Sequence, residues 1–302
     1  MYFSIAYTTI SIIVISETLD RRSENMKSIL ITGCSTGFGR VTALHFAKLG
    51  WKVFATVRKE ADRESLLNEK AGDIVPLLCD IVCEDQVQEL GREVAAQCDR
   101  LDVLVNNAGA IYRSPLELLP PAELRAQFEV NVVAQLAVAQ AVMPLLKVAK
   151  GTIINVSSVA GRITTPLIGA YSASKFALEA LSDALRVELA PFGVRVVLIE
   201  PGPSPTAIGT TSKRRWADIV AGQSIEVGGY ARLIEAADKI SAGWSRIGFP
   251  PQQFAKLVET ILNTATPRAR YPIPPRFAWA IAVRQIAPDW LWDWGVRQRL
   301  GW

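Results

Sequence analysis

The sequence predicts an α/β fold, a doubly wound parallel sheet in a single domain. Three observations predict it. From Met26 onward, short runs rich in Val, Ile and Leu recur without strict alternation of apolar and polar positions. Strands covered on both faces, as in parallel sheets, have that texture. Helix-length stretches separate the runs, and right-handed crossovers of this kind place helices on both faces. Lastly, a glycine-rich turn links the first strand to the first helix, and other unusual residues fall at the carboxyl ends of later strands. That edge is where such sheets bind ligands.

In chain order, strands are expected at residues 28–32, 52–57, 74–79, 103–106, 152–157 and 194–200. Helices are expected at 37–49, 84–97, 122–146 and 170–190. Residues 1–25 read as an N-terminal extension outside the core fold. Their apolar part, 5–15, lacks a basic flank and falls short of a bilayer span; a weakly membrane-associating segment is the alternative reading. Residues 26–302 form the domain, with 209–302 as a helical substrate-binding and C-terminal region. Its polar stretch to about Gly248 reads as a substrate lid or as a peripheral helix pair. The tail from Pro272 carries Trp279, Trp290, Trp292 and Trp294. Such residues line apolar pockets, oligomer contacts or membrane interfaces.

Composition narrows the function classes. Half of the residues are hydrophobic and 21% are charged, a globular balance that excludes disorder. A net charge of +4, evenly spread, argues against a nucleic-acid partner. Cys34, Cys79, Cys83 and Cys98 have no zinc-site spacing, so no metal is expected and a reduced, cytoplasmic setting fits. The sole histidine, His45, lies on a predicted helix, which leaves a histidine-based triad without its base.

The chemistry-bearing residues begin in Thr32-Gly33-Cys34-Ser35-Thr36-Gly37-Phe38-Gly39. Glycines let backbone N–H groups approach a pyrophosphate, which the helix N-terminus also attracts. Asp80, at the end of the third strand, reads either as an acceptor for an adenine amine or as a cap of the next helix. Asn106-Asn107-Ala108-Gly109 forms a small polar turn where backbone can meet the same dinucleotide. NAD-selective folds place an acid after the second strand. Here Ala55-Thr56-Val57-Arg58-Lys59 has none. Arg58 suits a 2′-phosphate, with Ser35 adding a hydroxyl, so NADP(H) is favoured over NAD(H); a plain surface arginine is the competing reading.

Ser157-Ser158 closes the fifth strand, and Tyr171-Ser172-Ala173-Ser174-Lys175 opens the next helix. Positions i and i+4 share a helix face, so Tyr171 and Lys175 address one pocket. A tyrosine of pKa near 10 is almost wholly protonated at neutral pH. A neighbouring ammonium and an oxidised nicotinamide ring are expected to lower that value.

Together these residues resemble the short-chain dehydrogenase/reductase family in its compact single-domain branch, over residues 27–206. The resemblance implies a Rossmann-type sheet and a Ser-Tyr-Lys-Asn tetrad of Ser158, Tyr171, Lys175 and Asn131. Tyr171 would be the acid/base and Ser158 would polarise the substrate oxygen; family spacing favours it over Ser157. Lys175 would bind the nicotinamide ribose, and Asn131 would hold a water of the proton relay. Ile81 beside Asp80, then Asn107, Ala108, Gly109, Pro201, Gly202 and Thr206, would line the cofactor. Residues 53–58 and the C-terminal extension look most like branches acting on hydroxysteroids, retinoids and related lipophilic alcohols. The implied partners are a small lipophilic carbonyl or alcohol substrate and a second copy in a homodimer or homotetramer. A non-catalytic dinucleotide sensor and a sugar-nucleotide epimerase are the competing readings; the first needs no Tyr171, and the second has a different glycine spacing.

Overall fold

The computed structural model describes residues 26–205, 211–212, 214–217, 228–246 and 248–302. The strands are β1 (Ser28–Ile31), β2 (Lys52–Val57), β3 (Ile74–Leu78), β4 (Val103–Asn106), β5 (Thr152–Val156), β6 (Arg195–Pro201) and β7 (Arg270–Ile273). They form one parallel sheet in the order β3-β2-β1-β4-β5-β6-β7. The winding direction reverses between β1 and β4, which opens a crevice at their carboxyl ends.

Helices α1 (Gly37–Lys48), α2 (Glu60–Leu67), α3 (Glu84–Ala95), α4 (Pro121–Phe128), α5 (Ala134–Ala149) and α6 (Gly169–Glu188) form the crossovers. Beyond β6 come α7 (Ala231–Arg246), α8 (Pro251–Asn263), α9 (Phe277–Ile286) and α10 (Asp289–Leu300). Successive strand side chains point to opposite faces, so β1 serves both halves of the core. Ile29 and Ile31 join Phe46 of α1 and Phe254 and Val258 of α8. Leu30 instead packs with Leu90 of α3 and Val138 and Val142 of α5. All three β1 side chains are fully buried, each contributing roughly 1.5–3 kcal/mol.

Three departures from the sequence reading have physical causes. The helix expected over 122–146 is broken into α4, a π-helical turn at Glu129–Val133, and α5. Such insertions do not disturb apolar periodicity enough to be read. Helix α2 was not anticipated because its eight residues bury only Leu66. Strand β7 is Arg-Tyr-Pro-Ile, too polar and too short to read as a strand, and its Pro272 is tolerated because β7 is the sheet edge. Among the described residues, Pro121–Ala149 is long and apolar enough to cross a membrane, but its buried side chains pack in the core. Residues 1–25 and Thr206 lie outside the described residues.

Candidate active site

The glycine loop is set by backbone geometry that only glycine tolerates well. Gly33 and Gly37 have φ of +72° and +60°, in the left-handed region. A Cβ on Gly33 would sit 2.9 Å from the Ala108 Cα, and one on Gly39 would sit 2.4 Å from the Gly33 carbonyl oxygen. The first turn of α1 has neither a side-chain cap nor an acidic residue. Its N–H groups and helix dipole therefore suit a phosphate. The residues fit a dinucleotide pyrophosphate.

Neighbouring strands hold this loop in place. Thr32 Oγ1 accepts from the backbone N–H groups of Asn107 (3.0 Å) and Ala108 (2.9 Å), and Thr56 Oγ1 accepts from that of Gly33 (3.0 Å). Asn107 Nδ2 donates to the carbonyls of Thr32 (2.7 Å) and Gly33 (3.2 Å). Asn107 thus acts through its side chain as a clamp on the loop. Gly39→Ala is expected to destabilise the fold by about 1–3 kcal/mol through overpacking and to abolish cofactor-analogue binding. Thermal unfolding and NADPH fluorescence titration measure the two effects; a wild-type titration from this variant would sink the assignment.

The other expected cofactor residues divide. Ser35 is half-buried, Thr36 is exposed, and both flank the start of α1. Phe38 turns away from the crevice and stacks on Phe254 with centroids 4.5 Å apart and on Phe249 at 5.5 Å, so only its backbone faces the loop. Asp80 is not the cap of α3, whose N-cap is Cys83. Its Oδ1 accepts only a long 3.4 Å bond from Val82, in an Asx-type turn. The Ile81 side chain is buried in the core. Arg58 is exposed just past β2, with no hydrogen bond or ion pair among the described residues. Gly202 donates its N–H to the Ile273 carbonyl (2.8 Å), and a Cβ there would meet the Phe277 ring at 2.3 Å.

The other end of the candidate site gathers Ser158, Tyr171, Lys175 and Asn131. Ser158 follows β5, its Oγ accepts from the Ala160 N–H (3.0 Å), and its hydroxyl is near enough to Tyr171 to favour the phenolate. It also donates to the Pro201 carbonyl (3.3 Å). Ser157, by contrast, is buried with its Oγ unpartnered. Lys175 is 5% exposed and donates to the Val156 carbonyl at 2.7 Å. Asn131 lies fully buried in the π-helical turn. Its Oδ1 accepts from the Ala110 N–H (2.9 Å), and its Nδ2 donates to the Ala110 carbonyl and the Ser174 hydroxyl, both at 3.0 Å. Those bonds commit both amide protons of Asn131. Its side chain fastens the 109–110 turn to α6.

Burial pushes the Tyr171 phenol up, and the Ser158 hydroxyl opposes it; the expected lowering counted on Lys175 together with an oxidised nicotinamide. Burial likewise lowers Lys175 to about 8, while Glu179, one turn further along α6, pulls it back up. At neutral pH the lysine is therefore still mostly charged. Behind it, Glu179 bonds Arg270 (2.8 Å), and buried Glu200 bonds Arg162 (3.1 Å).

The sequence reading missed this layer of charge and a second one of amides. Asn106 Nδ2 donates to Asn155 Oδ1 (2.9 Å), and Asn155 Nδ2 donates to Ser182 (2.8 Å), tying β4, β5 and α6 together. An asparagine inside Thr-Ile-Ile-Asn-Val was the available signal, since a polar residue in a buried strand needs partners.

Comparison with known proteins agrees with this geometry. A family model described as short chain dehydrogenase matches residues 27–216. The chain is 34% identical to an NADPH-dependent 3-dehydrocapnine reductase of Ornithobacterium rhinotracheale, over 89% of this chain and 95% of that protein. It is also 34% identical to a 3-ketodihydrosphingosine reductase of Bacteroides thetaiotaomicron, over 82% and 87%. Among solved structures, a short-chain dehydrogenase of Streptomyces avermitilis superposes with a TM-score of 0.75 at 26% identity, covering 87% of this chain and 93% of that one. The chain belongs to the short-chain dehydrogenase/reductase family. It is an oxidoreductase of the alcohol and carbonyl class.

Proposed function

We propose that this chain is an NADP(H)-dependent oxidoreductase that interconverts a lipophilic secondary alcohol and its ketone, with Tyr171 as the acid/base. The observation that carries the reading is the buried Tyr171, beside Ser158 and one helical turn from the charged Lys175. A nicotinamide bound at the glycine loop would supply or accept the hydride. In the reductive direction Ser158 hydrogen-bonds the ketone oxygen and Tyr171 Oη gives that oxygen its proton as the carbonyl carbon gains hydride. In oxidation the proton returns to Tyr171. Lys175, held by the Val156 carbonyl, would hold the nicotinamide ribose and favour the phenolate, and Asn131 keeps the 109–110 turn against α6.

The supports for NADP(H) are the exposed Arg58 after β2, the lack of an acid there, and the NADPH requirement in the name of the 3-dehydrocapnine reductase. The lipophilic substrate draws on the reductases of 3-dehydrocapnine and 3-ketodihydrosphingosine. Arg113 pairs with Asp238 of α7, and Arg215 Nη2 bonds Glu123 of α4 at 3.0 Å. A panel of ketones and alcohols, each run with NADPH and NADH, tests the whole reading. Arg58→Ala is expected to raise KM for NADPH about 10–100-fold, the worth of a charge-assisted bond of about 1.5–3 kcal/mol, and to leave KM for NADH unchanged. Equal effects on both cofactors would remove Arg58 from the site, and no turnover across the panel would favour a dinucleotide sensor.

A further inference from the structure

The two C-terminal helices are apolar on the side that faces away from the protein. In α9, Trp279, Ala282 and Ile286 fall on one helical face, opposite the buried Ile281, and Trp279 and Ile286 are 74% and 83% exposed. The helix contains no acidic residue. In α10, Trp292, Val296 and Leu300 form a half-buried inner row, while Trp290, Leu291 and Trp294 point outward, the two tryptophans 72% and 59% exposed. A helix apolar on both sides needs cover on both. Asp289 and Asp293 sit along one flank of α10, and Asp289 is paired with Arg284 at 2.8 Å. Across residues 276–302 four arginines stand against two aspartates.

That face fits one kind of occupant better than another. Its outward apolar side chains fall well short of the roughly 20–30 residues a stable subunit interface uses on each side. Beyond indole N–H groups it offers few of the roughly ten hydrogen bonds such an interface carries. The exposed Arg297, one turn from Trp294 on the same side of α10, adds a base to these indoles, and the combination instead matches the interfacial zone of a bilayer, where Trp sits at headgroup depth and basic residues meet lipid phosphates. The placement agrees. Phe277, the first residue of α9, lies against Gly202, and Gly202 follows Pro201, whose carbonyl accepts from the Ser158 hydroxyl. The apolar face begins where the reactive crevice ends.

We propose that the outward faces of α9 and α10 dock this protein on the surface of an anionic lipid bilayer, with the crevice beside the membrane. Docking itself is independent of the function proposed above; delivery of a bilayer-dissolved substrate to Ser158 and Tyr171 rests on that reading. The test uses the full chain and sedimentation with phosphatidylcholine vesicles, with and without phosphatidylglycerol. Wild type is expected to sediment with the anionic vesicles, to release at high salt, and to show tryptophan quenching by brominated lipid. Trp279→Gln/Trp290→Gln/Trp294→Gln is expected to lose at least about tenfold in partitioning, as interfacial binding scales with buried apolar area, and to lose most of the quenching. Its thermal unfolding is expected to match wild type, which shows that the variant folds, and so is its turnover of a short, water-soluble ketone. Vesicle binding unchanged in the variant, or absent in wild type, would overturn docking. A wild-type oligomer that the triple substitution dissociates, with no vesicle binding, would instead make the face a contact between copies. Because sedimentation needs no turnover, a protein that binds vesicles yet reduces nothing in the panel would refute the enzymatic reading alone.

Discussion

Tyr171→Phe is expected to lower kcat by about 10²–10⁴-fold, the usual worth of a positioned general acid/base, with the dissociation constant for NADPH changed by less than about threefold. The substitution removes one oxygen and leaves the ring in place. That oxygen is the only atom through which Tyr171 would exchange a proton with substrate, so the loss belongs in the chemical step. The glycine loop, built from Gly33, Thr32 and Asn107, is untouched by it. Pre-steady-state hydride transfer alongside a fluorescence titration separates the two terms. A variant retaining more than about a tenth of the wild-type rate would require another proton carrier, because uncatalysed transfer from water does not approach that figure.

Lys175→Met is expected to reduce turnover severely and, at pH 7, to make the fold more stable. Burial holds the folded-state lysine at about 8 against an ordinary 10.5. Below pH 8 both folded and unfolded chains carry the proton, and the folded one carries it at a penalty. Between pH 8 and 10.5 the unfolded chain still binds the proton while the folded chain releases it, so wild-type stability rises across that window. The difference amounts to roughly 3 kcal/mol at most. The lost bond to Val156 and imperfect packing of methionine reduce the net gain to about 1–2 kcal/mol. Denaturant unfolding at pH 7 and again near pH 10 measures it: the advantage of the variant should shrink at the higher pH. A variant less stable than wild type at pH 7 would show that Lys175 is held there by structural need, not by its chemistry.

Sequence legibility followed burial. Strands β1, β4 and β5, and helices α1, α3 and α6, were placed to within a residue or two because each buries an uninterrupted or periodic apolar face. The candidate site was legible as residue types at fixed spacing: Ser158, Tyr171 and Lys175, named from the sequence, come together in the fold. What escaped was set by tertiary partners. Strand β7 exists because β6 offers it an edge, with Gly202 and Ile273 closing the register. The π-helical turn exists where Asn131 reaches both Ala110 and Ser174. The upward pull of burial on Tyr171 was not legible, because spacing on a helix says which groups are near but not how deeply they are buried.

The clamp formed by Thr32, Thr56 and Asn107 bears on how the protein refills between turnovers. A loop already fixed by its own neighbours has little conformational entropy left to surrender when a dinucleotide arrives. Association then resembles filling a rigid berth, limited by encounter and not by a slow ordering step. Spent cofactor can leave and fresh cofactor enter while the sheet and its two half-cores stay as they are.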